Sequence, residues 1–335
     1  IIVYPPTVAG TLANAATVCA NANTGTLTLS GYVSSIIRWE FSSDNGTTWN
    51  NIVNTSNTFT YNNLAATIAY RAYVQNSVCP ALYSNTVTIN TVQPVTIANA
   101  GPDQLLCNVT ATTLAANTPA SGTGIWTPLA GNPSTATFTN PNDPATTVNG
   151  LTAGTYQFIW TISNALCADS KDTVRIIVYP PTVAGTLANA ATVCAASANT
   201  GTLTLSGNNG NIIHWEFSSD NGTTWNNIAS TSNTFTYNNL TTSTLFRALI
   251  QNGVCATSYT NIVLVTALQP SSIANAGNSQ VLCNSTAAKL NANIPASGAG
   301  VWTLVSGPTS VVFTNNQLPG TTVSGLTTGT YQFMW

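Results

Sequence analysis

The sequence predicts an all-β protein: a tandem array of four β-sandwich domains, alternating in type as A-B-A-B and forming an elongated rod. Three observations predict it. The chain repeats itself with a period of 175–176 residues, its apolar residues alternate with a period of two, and its cysteines are spaced by a single rule.

The repeat comes first because it sets the frame for every local motif. Ile1–Ala20 returns unchanged as Ile176–Ala195, Phe41–Ile52 as Phe217–Ile228, and Thr55–Leu64 as Thr231–Leu240. Asn99-Ala-Gly101 and Cys107 recur as Asn275-Ala-Gly277 and Cys283, and Ala153–Trp160 is matched by Thr328–Trp335. Each period holds two units of about 88 residues, a size able to bury its own core. The predicted units are residues 1–92 (A1, with 1–4 ending a preceding unit), 93–179 (B1), 180–268 (A2) and 269–335 (B2, truncated). The chain thus reads as a stretch of a longer array.

In A1, Leu27 and Leu29 alternate with threonines. Ile37, Trp39 and Phe41 alternate with Arg38 and Glu40, Phe59 and Tyr61 with threonines, and Val87 and Ile89 with threonines. The two A copies show which face is inside: Tyr70, Ala72 and Val74 become Phe246, Ala248 and Ile250, while Arg71 and Gln75 stay polar as Arg247 and Gln251. Asp44-Asn45-Gly46 and Asp220-Asn221-Gly222 are hairpin signals, since Asn and Gly tolerate positive φ.

In B1, Tyr156, Phe158, Trp160 and Ile162 alternate with polar residues, and Val174, Ile176 and Val178 follow on a last strand. Leu151-x-x-Gly154-x-Tyr156 has the form of a tyrosine corner. With about seven short strands, a buried Trp and a Cys pair per unit, the predicted fold is an immunoglobulin-like (Ig-like) sandwich. Trp39, Trp126, Trp160, Trp215, Trp302 and Trp335 fall on core faces. Tyr179-Pro180-Pro181-Thr182 joins B to A, and Gln93-Pro94 and Gln269-Pro270 join A to B. Proline stiffens such joints, which predicts a near-linear array.

The seven cysteines predict one bridge per unit. Cys19 and Cys79 lie 60 residues apart, as do Cys107 and Cys167, and Cys194 and Cys255 lie 61 apart; the partner of Cys283 falls beyond the window. Closing a loop of that length stabilises a unit by roughly 4 kcal/mol in the chain-entropy model. Cys19 precedes the Leu27 strand and Cys79 follows its own, so the predicted bridge sits near one end of the sandwich. Disulfides imply an oxidising, extracytoplasmic compartment.

Composition excludes several functions. Only 4% of residues are charged and the net charge is −2, so six Lys and Arg spread over four units form no nucleic-acid footprint. No apolar run is long enough to span a membrane. Catalysis finds no recurring set of groups: the single histidine, His214, is Arg38 in the other copy, and Glu40 and Glu216 have no second carboxylate nearby. Asp103 and Asp143 become Ser279 and Gln317 or Leu318, which argues against a shared calcium site. No catalytic residue, metal ligand or cofactor is therefore expected. Trp49 and Trp225, just after the hairpin turns, are the candidate ligand platform for sugar stacking; packing beneath the hairpin is the alternative.

RWEFSSDNGTTWNNI, with TFTYNNL and YRAYVQNSVC, resembles the Ig-like repeats of giant SprB-like surface adhesins of gliding, Bacteroidetes-type bacteria. NAGPDQLLC, with LTAGTYQFIWTISNALC, resembles the PKD-like/Ig-like repeats that alternate with them. The resemblance spans essentially the whole chain. It implies gliding motility, a type IX-like secretion route and display outside the cell, on a surface associated with the outer membrane. The function expected is a stalk segment that extends a distal adhesive region and bears load, with neighbouring repeats as partners. The alternative is a multivalent array whose A units weakly bind glycan or another surface ligand; an accessory region of a cell-wall enzyme is a third reading.

Overall fold

The structure is a computed structural model and describes residues 1–33, 35–195 and 197–335. Its regular elements are all β-strands among the described residues. The chain divides into two compact units, Ile1–Pro180 and Pro181–Trp335, each described here by itself.

The A1 half of the first unit holds β1 (Thr11–Ala13), β2 (Ala16–Cys19), β3 (Thr24–Ser30), β4 (Ser35–Ser42), β5 (Asn50–Ile52), β6 (Thr58–Asn62), β7 (Ile68–Gln75), β8 (Leu82–Tyr83) and β9 (Val87–Val92). One sheet has the order β1-β3-β6. The other has the order β2-β9-β7-β4-β5, with β8 added to β7. Leu12, Leu27 and Leu29 from the first sheet meet Trp39, Ala72, Val74 and Ile89 from the second in one core. Two open sheets in this order, with β2 running parallel to the final strand and the other pairs antiparallel, make an Ig-like sandwich.

Strict alternation fails at one place in the A fold. Ile37 is exposed, while Ile36 and Trp39, three residues apart, both face the core. A register shift between Ile36 and Arg38 is the cause: a bulge adds one residue and turns the rest of β4 over. The copy repeats it between Ile212 and His214, with Ile213 exposed.

The B1 half holds β10 (Gln104–Cys107), β11 (Ala111–Thr113), β12 (Thr123–Pro128), β13 (Thr137–Phe138), β14 (Thr147–Asn149), β15 (Gly154–Ser163) and β16 (Ser170–Tyr179). Sheets β10-β16-β15-β12 and β11-β14-β13 enclose Trp126, Val148, Tyr156, Phe158, Trp160 and Val174. The tyrosine corner is formed: the Tyr156 hydroxyl accepts from the Thr152 amide at 2.8 Å and lies 2.6 Å from the Ser134 hydroxyl.

The second unit repeats this plan. A2 contains β17 (Thr186–Ala188), β18 (Thr192–Cys194), β19 (Thr200–Ser206), β20 (Asn211–Ser218), β21 (Asn226–Ile228), β22 (Thr234–Asn238), β23 (Thr244–Gln251), β24 (Ser258–Tyr259) and β25 (Val263–Leu268), in sheets of the A1 order. B2 contains β26 (Ala287–Lys289), β27 (Thr303–Ser306), β28 (Val312–Phe313), β29 (Thr322–Ser324) and β30 (Gln332–Met334) around a smaller core of Leu290, Trp302, Val323 and Leu326. The half-buried Trp335 packs on Trp302 with ring centroids 5.2 Å apart and the rings tilted by 45°.

With so few charges, asparagines make the fixing contacts at strand ends. Asn85 accepts from the Leu12 amide at 2.6 Å and donates to the Leu12 carbonyl at 3.0 Å, tying β1 down across 73 residues. Asn261 does the same to Leu187. A side-chain amide mimics a strand's own donor and acceptor, so the ladder is completed without a charge.

Candidate functional site

Two arrangements stand out, a disulfide at the A1–B1 joint and a charged cluster on each A sheet. The disulfide joins Cys19 to Cys167, with Cα atoms 5.1 Å apart and a sequence separation of 148. This corrects the predicted Cys19–Cys79 and Cys107–Cys167 bridges. Cys107 and Cys255 are disulfide-bonded as well, and the partner of Cys255 is not Cys194 as the spacing had predicted. The Cys79 and Cys283 thiols are reduced.

Strand direction explains the correction. Cys19 ends β2, which runs parallel to β9 and places Cys19 opposite Val92, at the downstream end of A1. Cys79 follows β7, which is antiparallel to β9, so it lies at the upstream end. The two cysteines of one segment therefore occupy opposite ends of the sandwich, too far apart for a bond that needs Cα atoms within about 7 Å. Cys107 opposite Tyr179 and Cys194 opposite Leu268 repeat the downstream placement.

The upstream cysteine is set by a four-residue turn, Asn-x-x-Cys, after a long strand: Asn76–Cys79, Asn164–Cys167 and Asn252–Cys255. The residue after each Asn (Ser77, Ala165, Gly253) has a positive φ, which folds the turn back on itself. In B1 the Cys167 amide donates to Asn164 Oδ1 at 2.8 Å, and Asn164 Nδ2 donates to the Gln93 carbonyl at 2.9 Å. The Cys167 sulfur then lies 3.6 Å from that same carbonyl, on the joint. The Asn-x-x-Cys motif is legible in the sequence, whereas spacing alone favours the pair 60 residues apart.

The second arrangement is on the outer face of the β4–β7 sheet. Glu40 is buried, and its two oxygens receive Arg38 and Arg71, each at 2.7 Å. The Arg71 guanidinium is sandwiched between the rings of Trp49 (3.9 Å) and Tyr83 (3.8 Å), and Arg38 lies over Tyr73 at 4.2 Å. A2 rebuilds the cluster with Glu216 taking Arg247 at 2.6 Å and His214 at 3.0 Å, and with Arg247 between Trp225 and Tyr259. Burial alone would raise the Glu216 carboxyl, but hydrogen bonds from His214, Arg247 and Tyr259 outweigh it and hold the group below the usual carboxylate range. The Glu40 hydrogen bond raises Arg38 above its ordinary value, against a smaller opposing effect of burial.

This cluster decides what several sequence candidates do. Trp49 and Trp225 are half-buried, and each has one ring face covered by an arginine. Trp49 Nε1 also donates to the Gly46 carbonyl at 3.0 Å, packing the ring under the turn. The His214 side chain is 20% exposed and bound to Glu216. Glu40 is held by two arginines, and Glu216, bound by His214, Arg247 and Tyr259, is kept as an anion, which disfavours proton transfer.

At the turns, both oxygens of Asp44 are occupied by protein donors. Oδ1 accepts from Ser42 at 2.7 Å and from the Thr48 amide at 2.8 Å, and Oδ2 accepts from the Thr48 hydroxyl at 2.6 Å. Asp220 repeats the pattern. Asp103 pairs with Arg175 at 3.3 Å on the surface. No group of three or more His, Cys, Asp or Glu converges as a metal site among the described residues. No helix among them is long and apolar enough to cross a membrane.

Two Ig-like sandwiches of alternating type, tied end to end by a disulfide, define the first unit as a stretch of a tandem Ig-like array. The chain belongs to the family described as Domain of unknown function (DUF8696), whose model matches residues 8–94 and 183–269, the two A segments. No curated protein matches the chain. Among solved structures it is similar to an E-to-A variant of titin domains I67–I69, at 11% identity over 76% of this chain and 95% of that one, with a TM-score of 0.42. It is also similar to a Ca2+-stabilized adhesin that helps an Antarctic bacterium reach out and bind ice (13% identity, 95% of this chain and 91% of that one, TM-score 0.29). A PKD domain from the KIAA 1837 protein matches at 31% identity over 25% of this chain and 85% of that one, with a TM-score of 0.22.

Proposed function

We propose that this chain is a stalk segment of a very long bacterial cell-surface adhesin or filament, holding a distal adhesive region away from the cell and carrying tension along the array. The four units of this reading are residues 1–92, 93–179, 180–268 and 269–335. They work without catalysis or cofactor, and their partners are neighbouring repeats. Export by a type IX-like route and display outside the outer membrane of a gliding bacterium follow from the sequence resemblance.

The Cys19–Cys167 bond carries the mechanical reading. It gives tension a covalent path that crosses from A1 to B1 and bypasses the stretch between the two sulfurs, a sequence separation of 148. Pulling on the chain then cannot draw that stretch out, whatever happens to its non-covalent core. Closing so long a loop also stabilises the folded state by about 5 kcal/mol in the chain-entropy model.

Stretching single chains by their termini tests this. In oxidising buffer the loop stays closed, and a reductant, which opens this bond together with those of Cys107 and Cys255, lengthens the fully extended chain by at least about 500 Å, at 3.3–3.6 Å per residue. Equal lengths with and without reductant would remove the support for a mechanical role. Binding of the oxidised chain to immobilised glycans, lost on Trp49→Ala and Trp225→Ala, would favour the ligand-array reading instead.

A further inference from the structure

We propose that Cys79 is the receiving half of a segment-crossing disulfide, and that it bonds the downstream cysteine of another B-type segment. The reduced, exposed Cys283 of a second copy of this chain is such a thiol.

The argument begins with the bond already in place. Cys19–Cys167 joins the downstream cysteine of one segment to the Asn-x-x-Cys cysteine of the next. Cys79 stands in the same Asn-x-x-Cys motif, its amide donating to the Asn76 carbonyl at 3.0 Å where the Cys167 amide donates to the Asn164 side chain. Asn76 Nδ2 donates to the Pro5 carbonyl at 2.9 Å, as Asn164 does to Gln93. The Cys79 sulfur lies 3.3 Å from that Pro5 carbonyl, as the Cys167 sulfur lies 3.6 Å from Gln93. Both sulfurs therefore sit on the strand of chain that leads into their own segment, where a preceding segment's downstream end would abut.

The internal copies supply a second, independent observation. The counterpart of Cys79 in A2 is Cys255, and that of Cys283 in B1 is Cys107; both counterparts are disulfide-bonded. Cys79 and Cys283 are thus the reduced members of two positions that are otherwise oxidised. Their placement is complementary: Cys79 is an upstream cysteine of A type, and Cys283 is a downstream cysteine of B type.

Bond formation proceeds by exchange with a small-molecule disulfide such as oxidised glutathione. One thiolate attacks it, forming a mixed disulfide and releasing one glutathione thiolate. The second protein thiolate then displaces the other glutathione. Two protein thiols lose two protons and two electrons, and one oxidised glutathione becomes two glutathione thiols.

The test incubates the 335-residue chain in a glutathione redox buffer, traps thiols with N-ethylmaleimide, and reads multimers and linked peptides without reduction. The expected result is a ladder of covalent multimers containing a Cys79–Cys283 peptide. Cys19 is expected with Cys167, and Cys107 and Cys255 only in linked peptides. Cys79→Ser and Cys283→Ser each abolish the ladder while the Cys19–Cys167 peptide persists. Cys79 remaining labelled in a monomer, a Cys19–Cys79 peptide, or a ladder that survives Cys79→Ser would overturn the proposal. The readout is bond position, not mechanics, so its failure is distinguishable from failure of the stalk reading.

Discussion

Arg71 directs both Nε and Nη2 at a single oxygen of Glu40, at 2.8 and 2.7 Å, leaving the other oxygen to Arg38. Glu40 is 3% exposed while the arginines are 22% and 29% exposed, so the carboxylate is the desolvated member of the trio. Removing it leaves two cations facing each other across aromatic rings. Glu40→Ala is expected to destabilise A1 by about 2–3 kcal/mol, below the full value for a buried pair because the arginines reach water. Arg38→His is expected to cost less than about 1 kcal/mol, because A2 already holds His214 at this position. Hydrogen exchange of the β4 and β7 amides in the intact chain reads both.

The turn aspartates give a pH prediction. Asp44 and Asp220 are held down from 3.8 to about 2, first by the Thr48 or Thr224 hydroxyl, then by that residue's amide and by Ser42 or Ser218. A depressed carboxylate stabilises the folded state fully above its unfolded value, and the contribution is lost as pH falls through the folded one. Protection of the Thr48 and Thr224 amides is therefore expected to hold above about pH 4 and to fall toward pH 2. Carboxyl NMR titration checks the two midpoints; values near 3.8 would show that these hydrogen bonds do not persist in solution.

Alternation was enough to place the apolar faces of the long strands, because threonine fills the outer positions so regularly that inner and outer faces separate cleanly. Tyr70, Ala72 and Val74 are buried as their substitution pattern between copies predicted. The bulge at Ile36 was not legible, since no local residue type distinguishes an inserted position from a regular one in an apolar run. The disulfide pattern was misread for a different reason. In a periodic chain, a separation of 60 and one of 148 recur equally well, and only the strand direction at each cysteine separates them. The Glu40 cluster did leave a signal: in a chain with 4% charged residues, Glu40 and Arg71 recur at the same two positions as Glu216 and Arg247. Read one residue at a time, they passed for ordinary outer-face positions.

Gly124 offers a packing test. It sits on β12 against the ring of Trp160, and a Cβ placed there would fall inside the indole. Gly300 stands in the same relation to Trp335. Gly124→Ala must push the ring or part β12 from β15, and is expected to cost about 1–3 kcal/mol as an overpacked core does. Gly320→Ala meets the Lys289 Cε at 3.6 Å and the Leu290 carbonyl at 4.0 Å, both ordinary contacts, and serves as the mild control. Near-ultraviolet circular dichroism through thermal unfolding separates the two, and an unperturbed Gly124→Ala would contradict the close approach.

The two tyrosine corners make the same hydrogen bonds in different surroundings, which allows a ranked prediction. Tyr156 is fully buried; its hydroxyl accepts from the Thr152 amide and meets the Ser134 and Thr152 hydroxyls. Tyr331 binds the Thr327 amide at 2.9 Å and the Thr309 and Thr327 hydroxyls, but is only half-buried. Replacing either by Phe removes one hydroxyl and strands its donors. Where water cannot reach, the stranded groups bear the full desolvation cost, about 1–3 kcal/mol; where it can, solvent replaces the lost partner. Tyr156→Phe is therefore expected to destabilise B1 by more than Tyr331→Phe destabilises B2. Limited proteolysis with mass-spectrometric assignment of the cut sites reports each segment separately. If B2 became the more readily cleaved, burial would not be what sets the strength of the corner.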